Sequence, residues 1–267
     1  MIFQNNYTVR SRDIEEKFNK VIDLFKEKTE KECYKIELVD EDTTILDDKI
    51  GGKPYLPIGV DYPKDKDGNH LALLLQVNLK NIDLKGYPKK GILEIFTDSG
   101  VDYPCKYEIK YFEEGLEYQT DLPEIDISRY IVKKSYKINL AKGVCYMAIN
   151  DYRFVKIFTS IVNEIFGTDL KNYADLDDYF GNFAWYDKLR DGYENPAITL
   201  GGYPDFTQND PRYNMKENRD ECLFKLDSWA NYHKISIGDS GILFTLISQE
   251  DIEKCNFENA IVDWDCC

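Results

Sequence analysis

The stretch Gly51-Gly52-Lys53-Pro54 returns 150 residues later as Gly201-Gly202-Tyr203-Pro204. Glycine adopts positive φ angles at no steric cost and proline fixes φ, so such a stretch marks a corner where the backbone geometry is demanding. The same shift places Gly91-Ile92-Leu93 on Gly241-Ile242-Leu243. Two recurrences at one interval predict that a β-rich element occurs twice in the chain.

Other matches extend the repeat. At the same interval Cys105 falls on Cys255, Tyr107 on Phe257 and Glu108 on Glu258, and a one-residue slip places residues 74–78 on residues 223–227. The sequence therefore predicts an internal duplication of a β-rich unit at about 51–113 and 201–263. The two copies would be antiparallel sheets that cover each other, with two main flanking helices. We expect one pseudo-symmetric domain over residues 1–267.

Hydrophobic periodicity supplies the remaining elements. Apolar residues at helical spacing predict helices over about 11–31 and 151–166, the second ending at Gly167. Alternating or continuous apolar runs bounded by turn residues predict strands. These strands are expected at 33–39, 71–79, 91–97, 107–112, 131–138, 222–227, 241–247 and 260–264. The predicted fold class is α+β with a mostly antiparallel sheet.

Charge restricts the partners. The chain carries 34 basic and 49 acidic residues, a net charge of −15. An acidic protein without a basic stripe repels phosphate groups, so the sequence argues against binding to nucleic acid or to a membrane. The same charge attracts a basic protein from a distance. A basic protein partner is therefore the class that the composition favours.

Cysteine usage indicates a reducing compartment, because the seven cysteines include no C-x-x-C pair. The N-terminal residues lack the pattern of a signal peptide, and no apolar run is long enough to cross a bilayer. A cytoplasmic location is expected.

Few motifs suggest catalysis. Gly238-Asp239-Ser240-Gly241 is similar to the nucleophile region of trypsin-like proteases, and His70 precedes it. However, Gly241 has a repeat partner at Gly91 in a turn without a serine, which favours a structural turn. Two histidines and dispersed cysteines argue against a zinc site, and no nucleotide-binding motif occurs. No catalytic residue, metal or cofactor is predicted.

The strongest candidate for a binding surface lies at one end of the second copy. Two carboxylates end neighbouring predicted strands, and polar residues fill the loop after the glycine corner, where binding groups often lie. Paired carboxylates could hold a hard cation or act as acid and base, whereas the structural alternative is turn capping. The candidate residues are Tyr203, Gln208, Asp210, Arg212, Asp227 and Asp239.

Taken in order, the motifs also indicate a family. Residues 49–57, 75–79 and 91–93 resemble the first half of the YwqG-like family of bacterial proteins, and residues 200–208, 226–228, 238–241 and 264–266 resemble its second half. The resemblance implies a cytosolic protein of a family without an assigned activity, and it transfers no site residue.

Two functional hypotheses follow. The first is a non-enzymatic module that uses an acidic, tyrosine-rich surface to bind a basic protein. The second is a small-molecule or metal-assisted hydrolytic site at the 201–212 loop with Asp227 and Asp239.

Overall fold

The computed structural model describes residues 9–98, 106–181, 184–229 and 233–266. These residues form five α-helices and ten strands. The helices are α1 (Val9–Thr29), α2 (Phe154–Phe166), α3 (Tyr173–Phe180), α4 (Ala184–Gly192) and α5 (Gln249–Glu253). The strands are β1 (Lys31–Val39), β2 (Lys49–Ile50), β3 (Ala72–Asn78), β4 (Ile92–Thr97), β5 (Tyr107–Phe112), β6 (Tyr136–Cys145), β7 (Ile198–Gly201), β8 (Glu221–Asp227), β9 (Ile242–Ile247) and β10 (Ile261–Asp265).

The chain divides into two compact parts. The helical part comprises residues 1–31 and 144–195, and the sheet part comprises residues 32–143 and 196–267. In the helical part, aromatic rings form the contact between helices. The Phe18 ring of α1 lies 5.1 Å from Phe180 of α3, and the Phe25 ring lies 5.2 Å from Phe154 of α2. Edge-to-face packing of aromatic rings adds to the stabilisation that comes from burying their apolar surface.

The ten strands form one sheet in the order β10-β9-β8-β7-β1-β6-β2-β3-β4-β5. β5 and β10 are its two edges, and the sheet nearly closes because the Tyr111 ring of β5 lies 5.2 Å from Phe257, in the turn before β10. Residues 72–95 and 223–247 contribute to one hydrophobic core. The prediction of an α+β fold with a mostly antiparallel sheet is confirmed.

The sheet contains two halves with the same strand pairing, which we call the first β half (residues 49–112) and the second β half (residues 198–265). In the first, β3 pairs with β4 from Ala72 opposite Thr97 to Asn78 opposite Ile92. In the second, β8 pairs with β9 from Glu221 opposite Ile247 to Asp227 opposite Ile242. The register shifts once in each pair, between Leu73 and Leu75 and between Cys222 and Phe224.

The glycine corners also agree. Gly51 and Gly52 have φ angles of 74° and 83°, and Gly201 and Gly202 have 73° and 87°. A side chain at any of these positions would be strained.

The halves diverge after β4 and β9. Tyr107 and Glu108 begin strand β5, whereas Phe257 and Glu258 lie in a 3-10 turn. The predicted matches Tyr107/Phe257 and Glu108/Glu258 are therefore wrong, because α5 and this turn precede β10. Cys105 lies outside the described residues.

Other elements differ from the prediction. The strand expected at 131–138 is β6, which begins at Tyr136 and extends to Cys145. Ile131 and Val132 precede this strand, and their apolar side chains are buried in the core. Val132 forms an isolated bridge with Ile235. Five elements were not predicted from the sequence because they lie in short or polar segments, namely β2, β7, α3, α4 and α5. Helices α1 and α2 begin or end within three residues of the predicted limits.

Candidate functional site

The loop after Gly201 and Gly202 is attached to the end of β10. The carboxylate of Asp265 accepts hydrogen bonds from the backbone N–H groups of Thr207, at 3.0 Å, and Gln208, at 2.9 Å. The Gln208 side chain is exposed, and its Nε2 donates to the carbonyl of Cys266 at 2.6 Å. Tyr203 is half-buried at the start of the loop. The predicted site loop is therefore held in one position by the C-terminal strand.

Asp210 and Arg212 form a buried ion pair inside this loop. Arg212 Nη2 lies 2.6 Å from Asp210 Oδ2 and Nε lies 2.9 Å from Oδ1, while the guanidinium lies 5.5 Å from the centre of the Phe206 ring. Their exposed fractions are 2% and 6%. The prediction placed both side chains on a binding surface, whereas the structure places both inside the loop. Their i, i+2 spacing gave no sign of burial.

The end of β8 carries an acidic cluster. Asp227 Oδ1 accepts a hydrogen bond from the backbone N–H of Trp229 at 2.9 Å. Asp205 lies within electrostatic range of Asp227 and Asp265, and burial is the main reason that the pKa of Asp205 is raised. The nearby ammonium of Lys225 opposes this shift. Asp205 therefore interacts with carboxylates of β8 and β10, which lie on the two sides of β9.

The turn that carries Asp239 is joined to the same end of β8. The Ser228 hydroxyl donates to the carbonyl of Gly241 at 2.8 Å, and its backbone N–H donates to the same oxygen at 3.1 Å. Asp239 is exposed on this turn. The hydrogen bonds of Ser228 thus join the end of β8, which carries Asp227, to the turn that carries Asp239.

Trp229 is the feature of this region that the sequence analysis missed. Its exposed fraction of 72% is the highest among the large apolar side chains of the described residues. A tryptophan directly after a polar strand end was the available signal, but sequence cannot distinguish an exposed ring from a buried one. We call Gln208, Asp227, Trp229 and Asp239 the Trp229 surface.

The residues do not assemble a protease triad or a metal centre. Ser240 has a φ of 60° in its turn, and the His70 ring lies edge-on to Tyr62 at 5.3 Å. No hydrogen bond joins Ser240 to His70. Across residues 9–98, 106–181, 184–229 and 233–266, no group of three His, Cys, Asp or Glu side chains is placed to hold a metal ion.

A row of buried polar side chains crosses the first β half. Lys49, Gln76 and Glu94 are neighbours across β2, β3 and β4, and each is at most 1% exposed. Gln76 Oε1 and Glu94 Oε1 both accept from the Tyr55 N–H, at 2.7 and 2.8 Å. Lys49 Nζ donates to the carbonyls of Thr44, at 2.7 Å, and Ile45, at 2.9 Å. The row fixes two loops to the sheet.

Burial perturbs the titration of this row. Desolvation lowers the pKa of Lys49 to about 8 and raises the pKa of Glu94 well above its usual value. Glu94 Oε2 has no hydrogen-bond partner among the described residues. The register of the second β half places Thr199, Lys225 and Phe244 at the corresponding row, so the carboxylate has no counterpart there.

These features define an α+β protein with a ten-stranded antiparallel sheet and an acidic, tryptophan-bearing surface at one end of it. Residues 48–266 match the model of a family described as a domain of unknown function, DUF1963, and the chain belongs to that family. The resemblance to YwqG-like proteins is confirmed at the level of this family. No protein with a curated description matches the chain.

Proposed function

We propose that the protein is a non-enzymatic binding module that engages a basic protein through the Trp229 surface. The observation that carries the proposal is the 72% exposed indole of Trp229, attached through its backbone to Asp227. Tryptophan is among the residues that most often dominate the binding energy of an interface. The hydrogen bond fixes the backbone of Trp229 at the end of β8, so the exposed indole extends from a defined position.

Charge determines the class of partner. Asp227 and Asp239 lie on the surface itself, and Asp205 interacts electrostatically with Asp227. The net charge of −15 extends this negative field over the whole molecule. Such a field accelerates encounters with a basic protein and suppresses encounters with acidic ones.

The test begins with proteins captured from native lysate at low salt. Each captured protein is identified, purified and titrated against wild type, Trp229→Ala and the control Tyr107→Ala, which removes a 40% exposed ring on β5. We expect a basic partner whose affinity falls at least about tenfold for Trp229→Ala, as for a hot-spot residue, and is unchanged for the control.

Salt gives the second measurement. Asp227→Asn with Asp239→Asn should lower the association rate at low salt and flatten its salt dependence. Partners that bind Trp229→Ala as tightly as wild type, or complexes indifferent to salt, would contradict the proposal.

A small-molecule or metal-assisted hydrolytic site at the 201–212 loop is the alternative, and it has less support. Asp210 and Arg212 bind each other inside the loop. Asp205 does interact electrostatically with both Asp227 and Asp265, and this interaction is the observation that favours the alternative. A thermal-shift screen over divalent metals and metabolites distinguishes the two, because a ligand at about 100 times its Kd adds roughly 2.7 kcal/mol of stability.

We further propose that the two β halves arose by duplication and that the chain works as one pseudo-symmetric domain. The shared register of β3–β4 and β8–β9, the register shift at corresponding positions and the matching φ angles at the glycine corners support this history. A single core containing residues of both halves supports cooperative folding.

We also propose that the protein is located in the cytoplasm. The seven cysteines include no C-x-x-C pair, a usage that favours a reducing compartment. No helix of the described residues is both long and apolar enough to cross a membrane. Fractionation of cells that express the tagged protein tests the location, and recovery of the protein from a membrane or secreted fraction would contradict it.

A further inference from the structure

A cavity of about 200 Å³ lies beside the Gly51–Gly52 corner of the first β half. Its walls are mainly apolar and come from β3, from the corner itself and from residues 123–135. The side chains that the inference uses are Tyr62, Leu73, Ile125, Ile127, Tyr130 and Val132. Mostly apolar cavities with a few polar groups are typical of small-molecule sites.

Hydrogen bonds hold the walls of this cavity in place. The Gly51 N–H donates to the Leu74 carbonyl at 3.1 Å, and the Ser135 hydroxyl donates to the Gly51 carbonyl at 3.3 Å. The Tyr130 hydroxyl lies 3.1 Å from the Thr97 hydroxyl and 3.3 Å from the Ala72 carbonyl. A site with walls fixed before binding loses little entropy when a ligand enters.

Tyr62 supplies a polar group that the protein does not satisfy. Its ring packs against His70 and Phe96, but its hydroxyl makes no hydrogen bond to the described residues. Burial raises the pKa of Tyr62, so the phenol stays protonated and can donate a hydrogen bond. The Tyr62 hydroxyl is therefore available to donate a hydrogen bond to an acceptor in the cavity.

The charged rim favours an anion. Lys53 and Lys134 line the cavity with one carboxylate, Glu124. Lys53 Nζ lies 3.0 Å from Glu124, and Lys134 Nζ lies 2.5 Å from Asp40. Both pairs are exposed, so they contribute little and exchange readily for another carboxylate. The rim therefore offers two ammonium groups whose present carboxylate partners a ligand carboxylate could replace.

We infer that this cavity binds a small monocarboxylate whose apolar body is about the size of one aromatic ring. A cavity of about 150 Å³ accommodates benzene, so 200 Å³ leaves room for a ring with a short polar group. The body packs against Leu73, Ile125 and Val132, and the carboxylate accepts hydrogen bonds from the Tyr62 hydroxyl and a rim lysine.

The experiment uses benzoate as the probe and benzamide as its neutral counterpart of the same shape. Methyl NMR spectra of the full chain follow Ile125, Ile127 and Val132 during each titration. We expect saturable shifts of these methyl signals with benzoate and binding at least about tenfold weaker with benzamide, because only benzoate forms charge-assisted hydrogen bonds.

Variants assign the polar contacts. Tyr62→Phe keeps the ring packing and should weaken benzoate binding about three- to tenfold, the effect of one lost hydrogen bond. Lys53→Met with Lys134→Met should remove the preference for benzoate over benzamide. Lys110→Met, which removes a lysine paired with Glu108 on β5, is the matched control and should change nothing.

Three results would overturn the inference. They are methyl signals that do not move with benzoate, equal affinities for benzoate and benzamide, or unchanged affinity in Tyr62→Phe. None of these results bears on the Trp229 surface, so this site and the proposed protein-binding function stand or fall separately.

Discussion

The two glycine corners share a backbone and differ in what fills the space beside them. At the first corner, Tyr62 lines a cavity of about 200 Å³. At the second, Arg212 occurs 150 residues after Tyr62 and is buried against Asp210 and Phe206. Strand register and glycine conformation thus fix the scaffold, while the side chains on the loops are free to form either an open site or an internal ion pair.

The buried rows differ in the same way. The first β half buries Lys49, Gln76 and Glu94, whereas the second has Phe244 at the position that corresponds to Glu94. One scaffold therefore tolerates a buried carboxylic acid in one half and a phenyl ring in the other. The polar row secures two loops, and these loops form part of the first corner.

The largest effect expected from this comparison is the loss of the second corner's ion pair. Asp210→Asn removes the closest charge partner of the buried Arg212 guanidinium, with Asp220 at 3.8 Å remaining, and should lower the free energy of unfolding by about 3 kcal/mol. Urea unfolding measures the change. The matched control is Glu124→Gln at the first corner, which removes an exposed pair and should cost less than about 1 kcal/mol. Equal, small effects would mean that Asp210 does not serve the fold.

Substitution of the corner glycines tests whether the two halves are equivalent. Gly51→Ala and Gly201→Ala force a side chain into a left-handed conformation and should each cost about 1–2 kcal/mol plus a contribution from crowding. Gly59→Ala is the control, because its φ is also positive but nothing lies within 4 Å of an added Cβ. It isolates the cost of φ alone.

Calorimetry of these glycine variants also tests the single domain. One transition lowered by both Gly51→Ala and Gly201→Ala would support a cooperative domain. Separate transitions, each moved by only one substitution, would contradict it.

The smallest effect, taken over a single pH unit, concerns Glu94. Because the pKa of Glu94 is raised in the folded state, the folded protein binds more protons than the unfolded chain once the pH exceeds about 4.5. Stability should therefore fall as pH rises from there, by at most about 1.4 kcal/mol per pH unit. Glu94→Gln removes this slope and keeps the hydrogen bond to Tyr55.

Urea unfolding between pH 5 and pH 8 measures this slope for wild type and Glu94→Gln. Glu108→Gln on β5 is the control and should retain the slope of wild type. Parallel curves for wild type and Glu94→Gln would show that Glu94 is ionised in the folded protein.

The sequence predicted elements where local pattern and tertiary environment agree. β3, β4, β8 and β9 read as continuous apolar runs because both of their faces are buried. β7 was missed because a strand of four residues is too short to show a hydrophobic period. It is a strand because it pairs with β1 and β8. Helices α3 and α4 were missed because their polar faces dilute the helical pattern.

The candidate site, too, could be predicted only where local sequence features determine the position of a residue. Asp227 and Asp239 could be named as candidates from the sequence because strand ends and turns are local features. The burial of Asp210 and Arg212 could not be read, since charged residues in a polar loop are normally solvated. The exposure of Trp229 could not be predicted, because a large apolar side chain is normally buried.

The two edge strands of this nearly closed sheet have a consequence for how copies of the protein behave at high concentration. Unpaired strand edges offer backbone hydrogen bonds to any neighbouring molecule. β5 carries Glu108 and Lys110, and β10 carries Asp263 and Asp265, so charged groups accompany both borders. Two molecules that joined through β10 would bring aspartates of like charge together. The placement of these charges therefore discourages growth into filaments while leaving the scaffold's interior unchanged.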